Sequence, residues 1–219
     1  MGIGLSSFAL DAGNQVARSG ERRAASENQP AGAAPSRGSQ VRGQVSTALP
    51  GVRLTDVSPV VVYLTALEGR LQYTIPEKRP KIAQKNAQFE PSFLVIAVGQ
   101  TVSIPNRDRM LHNVFSYSEA KQFDLGLYPK SEMRTVTFPE SGVVPLYCSI
   151  HASMNATIFV APSPYHAIVS RAGSFAIRNA PAGQYRLKTW SRKLPPLERT
   201  IEVKAGKATV VDLRFEQTK

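Results

Sequence analysis

The stretch TVTFPESGVVPLYCSIHASMNATIFV, residues 135–160, decides the reading of this chain. It opens and closes with runs of β-branched and aromatic residues, the composition of half-buried strands. Between VVPLYC (143–148) and ATIFVA (156–161) lies a loop holding the chain's single cysteine, Cys148. His151 follows three residues later and Met154 three after that. A thiol, an imidazole and a thioether at even spacing can all turn toward one point when a strand ends at the first and another strand begins just past the last.

Outward from this stretch the texture is similar. VRGQVST (41–47), PVVVYLTA (59–66), SFLVIAV (92–98), TVSIP (101–105), NVFSY (113–117) and RTVTF (134–138) read as strands. So do SFAIR (174–178), QYRLKTW (184–190), RTIEV (199–203) and ATVVDLRF (208–215). In the last, Val211, Leu213 and Phe215 alternate with Asp212 and Arg214, a period of two. VGQT, ESGV, RAGS, PAGQ and KAGK supply turns between the runs. No long segment has helical period, and many short strands at this spacing predict an all-β protein of sandwiches or barrels. Residues 1–40 are rich in Ala, Ser, Gly, Pro, Arg and Glu, offer little to bury, and are expected to be unstructured. MGIGLSSFAL lacks a basic start and makes a poor signal peptide.

The formal net charge is +11 over 219 residues. The surplus is dispersed, without a basic block or a nucleic-acid-binding motif, so no nucleic-acid partner is expected. No apolar run approaches the roughly 20 residues of a membrane-spanning helix. A lone cysteine forms no internal disulfide.

Thiolate and imidazole bind copper and zinc strongly, and a thioether favours copper. A fourth ligand must come from elsewhere, and the chain has only three histidines. His112 opens HNVFSY after the turn-like NRDRML. If that strand neighbours the one ending at Cys148, His112 reaches the same end of the sheet. Two His, one Cys and one Met make the blue-copper set. His166, in SPYHAIV, has no matching partner and reads as structural. Serine-protease-like triads, phosphate loops and dinucleotide glycine motifs are absent, and too few histidines remain for a multicopper centre, so no enzyme is expected.

FEPSFLVIAVGQTVSIPNRDRMLHNVFSYS (89–118) with 135–160 resembles the cupredoxins, small copper proteins of the plastocyanin and amicyanin type. VGQTVSIPN, HNV, TVTFPESGVVPLYC and C-x-x-H-x-x-M come in that family's order, over about residues 82 to 162. The resemblance implies a Greek-key β-sandwich with copper on His112, Cys148, His151 and Met154, and Asn113 steadying the two ligand loops. Ile150 stands where the family has proline, so its N–H is expected to donate a second bond to the Cys148 sulfur. AIVSRAGSFAIRNAPAGQYRLKTW (167–190) resembles the carboxypeptidase-regulatory-like fold, a small transthyretin-like sandwich. The pairing of these two modules is similar to plastocyanin-like proteins of the methylamine-utilisation type in bacteria. The expected organisation is a discontinuous outer sandwich of residues 41–81 with 163–219, and a cupredoxin, 82–162, inserted in it; a tandem order stays open.

The resemblance implies periplasmic electron transfer, with His151 as the port and Arg107 and Arg109 near it to steer an acidic redox partner. Copper delivery or buffering, and an interaction scaffold with a vestigial site, are the alternatives.

Overall fold

The computed structural model describes residues 38–217. Residues 1–37 of the segment expected to be unstructured lie outside them, and Gln40 already opens the first strand. In chain order the strands are β1 (Gln40–Thr47), β2 (Val60–Thr65), β3 (Ala83–Lys85), β4 (Gln88–Glu90), β5 (Phe93–Ala97), β6 (Thr101–Pro105), β7 (Phe115–Ser118), β8 (Lys121–Asp124), β9 (Met133–Thr137), β10 (Gly142–Tyr147), β11 (Asn155–Ala161), β12 (His166–Ile168), β13 (Ser174–Arg178), β14 (Gly183–Ser191), β15 (Glu198–Val203), β16 (Ala208–Val210) and β17 (Leu213–Phe215). A single 3₁₀ turn, Leu54–Asp56, is the helical content of the described residues. The chain is all-β, as its short alternating runs predict.

The strands stack in four layers. In the first, β1 pairs antiparallel with β13 and parallel with β16 and β17. The second is the antiparallel sheet β12-β2-β14-β15. The third runs β5-β11-β10-β7-β8, with β5 and β11 parallel. The fourth joins the β6–β9 pair to the β3–β4 hairpin through parallel bridges Lys81↔Ser103 and Gln84↔Asn106.

Side-chain alternation turns these layers into three cores. Val60, Val62 and Leu64 of β2 face Val41, Val45, Phe175, Leu213 and Phe215 of the first layer. Val61 and Tyr63, on the opposite face of β2, meet Phe159 and Ala161 of β11. Ala156, Ile158 and Val160 of β11 point the other way, into a core with Ile104, Val136, Phe138, Leu146, Cys148 and Met154. Both faces of β2 and β11 are covered, which is why their sequences are continuous apolar runs. The middle core is aromatic: Trp190 stacks on Phe159 with centroids 4.8 Å apart and lies parallel to Phe93 at 5.6 Å.

Two expectations change in detail. ATVVDLRF is two strands, because the chain steps between β16 and β17 at Val211–Asp212. Val211 N–H bonds to the Arg42 carbonyl at 2.9 Å, and Asp212 accepts the Gln44 N–H at 2.8 Å. The step passes so close to Gly43 that a Cβ there would sit 1.9 Å from the Val211 oxygen, so only glycine fits. The second change concerns 73–81, assigned from sequence to the outer sandwich. This stretch bonds instead to the third and fourth layers, with the Tyr73 hydroxyl on the Val98 carbonyl and the Ser103 N–H on the Pro80 carbonyl.

Candidate metal centre

Cys148 directly follows β10, and the loop to β11 is closed by the Met154 N–H on the His151 carbonyl at 2.9 Å. Cys148 and Met154, 6% and 1% exposed, are part of the inner core. His151 is half-buried at the rim and Ala152 and Ser153 are exposed. Ile150 is 52% exposed on the outer side of the loop. The contacts that the structure shows for the Cys148 sulfur are with two imidazoles. The Ile150 N–H is not among them, whereas the preceding Ser149 N–H goes to Asn113 Oδ1.

His112 is not part of a strand, although HNVFSY reads as one; β7 begins at Phe115. His112 pairs instead with Tyr128, exchanging backbone bonds of 2.9 and 3.3 Å. That departure carries its ring, wholly buried, over the end of β10. Asn113 then ties the two loops together: its Oδ1 accepts the Ser149 N–H at 2.7 Å and the Ser149 hydroxyl at 3.0 Å.

Three donor atoms converge. His112 Nδ1 lies 3.1 Å from His151 Nδ1, and Cys148 Sγ lies 3.9 and 3.7 Å from them. Two imidazole lone pairs facing each other at 3.1 Å repel unless something positive lies between, a proton on one ring or a metal ion. The size of the triangle bears on that choice. A point equidistant from its corners lies about 2.1 Å from each, between ordinary metal–imidazole and metal–thiolate bond lengths. The residues present therefore fit a soft metal ion, copper or zinc, and Met154 is buried in the same core as the cysteine. Among the described residues this is the one cluster of three or more metal-binding side chains.

Sequence reasoning missed Asp108. Its Oδ2 lies 2.8 Å from His112 Nε2, and its Oδ1 and Oδ2 accept the Asn86 and Ala87 N–H groups at 2.7 and 2.9 Å. Burial opposes its charge, but the Ala87 N–H, His112 and the Asn86 N–H outweigh that and hold its pKa below the usual carboxylate value. Asn106, also missed, shapes the same loop. It donates to the Met110 and Tyr128 carbonyls and accepts the Asp108 N–H. An acid four residues before the histidine, in NRDRMLH, is the signal that was there to be used.

Solved structures of copper proteins are similar over about two-fifths of the chain. The copper-containing nitrite reductase from Thermus scotoductus SA-01 shares 23% identity over 41% of this chain, with a TM-score of 0.37, and the chain spans about a quarter of its length (24%). A purple cupredoxin from Nitrosopumilus maritimus shares 26% identity over 37% of this chain and 99% of its own, with a TM-score of 0.34. A Met-to-Ala variant of amicyanin in the Cu(I) state shares 24% over 39% of this chain and 85% of its own, at 0.35. No family model matches the chain, and no curated protein matches it. No helix among the described residues is long and apolar enough to cross a membrane.

His166 pairs across the second layer with Tyr63, and its Nδ1 bonds to the Ser163 carbonyl at 3.1 Å. It stands apart from the donor cluster.

Proposed function

We propose that the chain is a type 1 copper protein that carries single electrons between partner proteins in the periplasm, and that it is not an enzyme. The observation that carries this is the triangle of His112 Nδ1, His151 Nδ1 and Cys148 Sγ, whose centre suits a metal ion. Met154, in the same core as Cys148, is the fourth ligand in this reading. Four protein ligands leave no open position for a substrate. Bound copper would take up and release one electron between Cu(II) and Cu(I), while the protein holds the ligands in place.

The residues around the donors suit that task. His112, Cys148 and Met154 are shielded from water, while His151 reaches the rim. Met110 and Leu111 beside His112, Leu127 beside its ladder partner Tyr128, and Ile150 beside His151 are large apolar side chains about half exposed. Arg107, Arg109 and Lys130, exposed at the same end, have no carboxylate partner among the described residues. An apolar contact surface with a basic rim favours a redox partner that is acidic around its own port, met quickly and released quickly. The stack of layers supports a domain plan in which residues 82–162 are inserted in a carboxypeptidase-regulatory-like sandwich built from both ends of the chain. The first and last strands share one core, and the middle strands another.

The test is to add Cu(II) to the metal-free protein and record its visible and electron paramagnetic resonance spectra. An intense thiolate-to-copper band with narrow copper hyperfine splitting, lost in Cys148→Ser, is expected. A colourless protein, or a spectrum unchanged in Cys148→Ser, overturns the reading.

A further inference from the structure

The two loops that carry the donors do not by themselves fix the rotation of the His112 ring. Its Nδ1 faces the other donors, but an imidazole can place its single proton on either nitrogen. A proton on Nδ1 would block the metal-binding lone pair. The choice is made on the far side of the ring, where Nε2 meets the Asp108 carboxylate 2.8 Å away. A carboxylate accepts only, so Nε2 must carry the proton and Nδ1 is left bare.

The carboxylate is itself held. Its side chain is 11% exposed. Oδ1 takes the Asn86 N–H at 2.7 Å, and Oδ2 takes the Ala87 N–H at 2.9 Å together with the His112 ring. Its own N–H is tied to Asn106 Oδ1 at 2.9 Å. Asn86 and Ala87 form the tip of the β3–β4 hairpin and have φ of +55° and +52°. That conformation is uncommon for non-glycine residues and is strained for alanine. It also aims two successive N–H groups at one spot, which is what a carboxylate requires. Two residues at positive φ are the usual geometry of a two-residue hairpin turn; what distinguishes this one is that both of its N–H groups are taken up by Asp108.

We infer that Asp108 is the positioning residue of the centre: docked in the β3–β4 hairpin tip, it sets the His112 tautomer and ring angle before any metal arrives. The inference rests on the proposed metal site for its purpose, but its geometry belongs to the metal-free chain. The centre is then built from three loops, of which the hairpin tip supplies no ligand. A ligand histidine whose outer N–H loses its carboxylate typically costs 10–100-fold in metal affinity.

The three histidines of the chain make its ¹⁵N-histidine spectrum simple to assign. In the full-length metal-free protein, His112 is expected in the Nε2–H form with a slowly exchanging proton. Asp108→Ala is expected to speed that exchange at least tenfold, mix the tautomers, expose the Asn86 and Ala87 amides to hydrogen exchange, and weaken Zn(II) binding 10–100-fold. Asp108→Asn guards against a variant that fails to fold. Its carbonyl can still accept from Nε2, but its NH₂ faces one backbone N–H, so it should keep the tautomer and lose protection at the hairpin tip. A wild-type His112 in the Nδ1–H form, or a tautomer and exchange rate unchanged in Asp108→Ala, overturns the inference. If wild type binds neither Zn(II) nor copper while His112 keeps its Nε2 proton through Asp108, the copper reading falls and the positioning role stands.

Discussion

Replacing Asn113 with alanine tests whether one side chain joins the two donor loops. The side chain is 4% exposed and its Oδ1 accepts two bonds from Ser149, at 2.7 and 3.0 Å. Each is worth about 0.5–1.5 kcal/mol net, so the pair contributes about 1–3 kcal/mol. Ser149 is exposed, so water can replace the lost acceptor, and the full penalty of an orphaned buried donor does not apply. The void left by the carboxamide adds a little, and about 2–3 kcal/mol is the expected loss. For a chain of this size each kcal/mol lowers the melting temperature by about 2–4 °C, which gives a drop of roughly 4–12 °C in the metal-free protein. Circular dichroism melts of Asn113→Ala, Ser149→Ala and the double variant supply the measurement. The cycle should show a coupling of about 0.5–1.5 kcal/mol between the two sites, because Ser149→Ala keeps the backbone bond and loses the hydroxyl one. A drop below 2 °C with no coupling would refute the idea that Asn113 fixes the cysteine loop to the histidine loop.

Trp190→Ala removes the ring stacked on Phe159 and Phe93 between the second and third layers; the half-buried site puts the loss at about 2–3 kcal/mol. With the middle core weakened, calorimetry should resolve two unfolding transitions, one for each flanking core; one transition at the wild-type temperature would count against that core as the link. His166 offers a pH test. Burial is the larger influence and lowers its pKa below 6.5, partly offset by the bond to the Ser163 carbonyl. The folded state then binds fewer protons than the unfolded one between the lowered value and about 6.5, so stability is lost as pH falls through that window and is complete above it. Melts from pH 7.5 to 5 should show a shallower decline in His166→Asn than in wild type; parallel curves would mean that His166 titrates alike folded and unfolded.

The legible parts of this protein are those where one physical constraint dominates a short stretch. Cys148 and His151 sit three residues apart in a single loop, so their spacing alone suggests a shared point, and their donor atoms do meet. His112 is found by scarcity, since a chain with three histidines offers few partners for those two donors. The major strands are legible because a covered face demands apolar residues at fixed spacing. The short strands β3, β4, β8 and β12 are not, because three or four residues of mixed burial carry too little pattern. The step at Val211–Asp212 hides behind an unbroken alternation, and its only trace is Gly43, some 170 residues away in the chain.

Asp108 is the instructive omission, and its reason is physical. A ligand must be a soft or nitrogenous donor, so chemistry narrows the candidates to a few residue types. A residue that orients a ligand need only accept a hydrogen bond, which many side chains can do. What singles out Asp108 is the convergence of three donors from separate places: an imidazole four residues on, and two amides of a hairpin about 20 residues back. Those amides converge because Asn86 and Ala87 adopt positive φ, a conformation that asparagine favours among non-glycine residues but that alanine does not announce. The ligands of such a centre are therefore written in residue type and spacing, while the angles at which they are held are written in backbone geometry. Replacing Ala87 with glycine separates the two. Glycine relaxes the strain and keeps the N–H, so if Asp108 depends on the amide and not on the methyl, the His112 tautomer should be unchanged in Ala87→Gly. Loss of the Nε2–H form there would mean that packing of the alanine, rather than the pair of hydrogen bonds, holds Asp108.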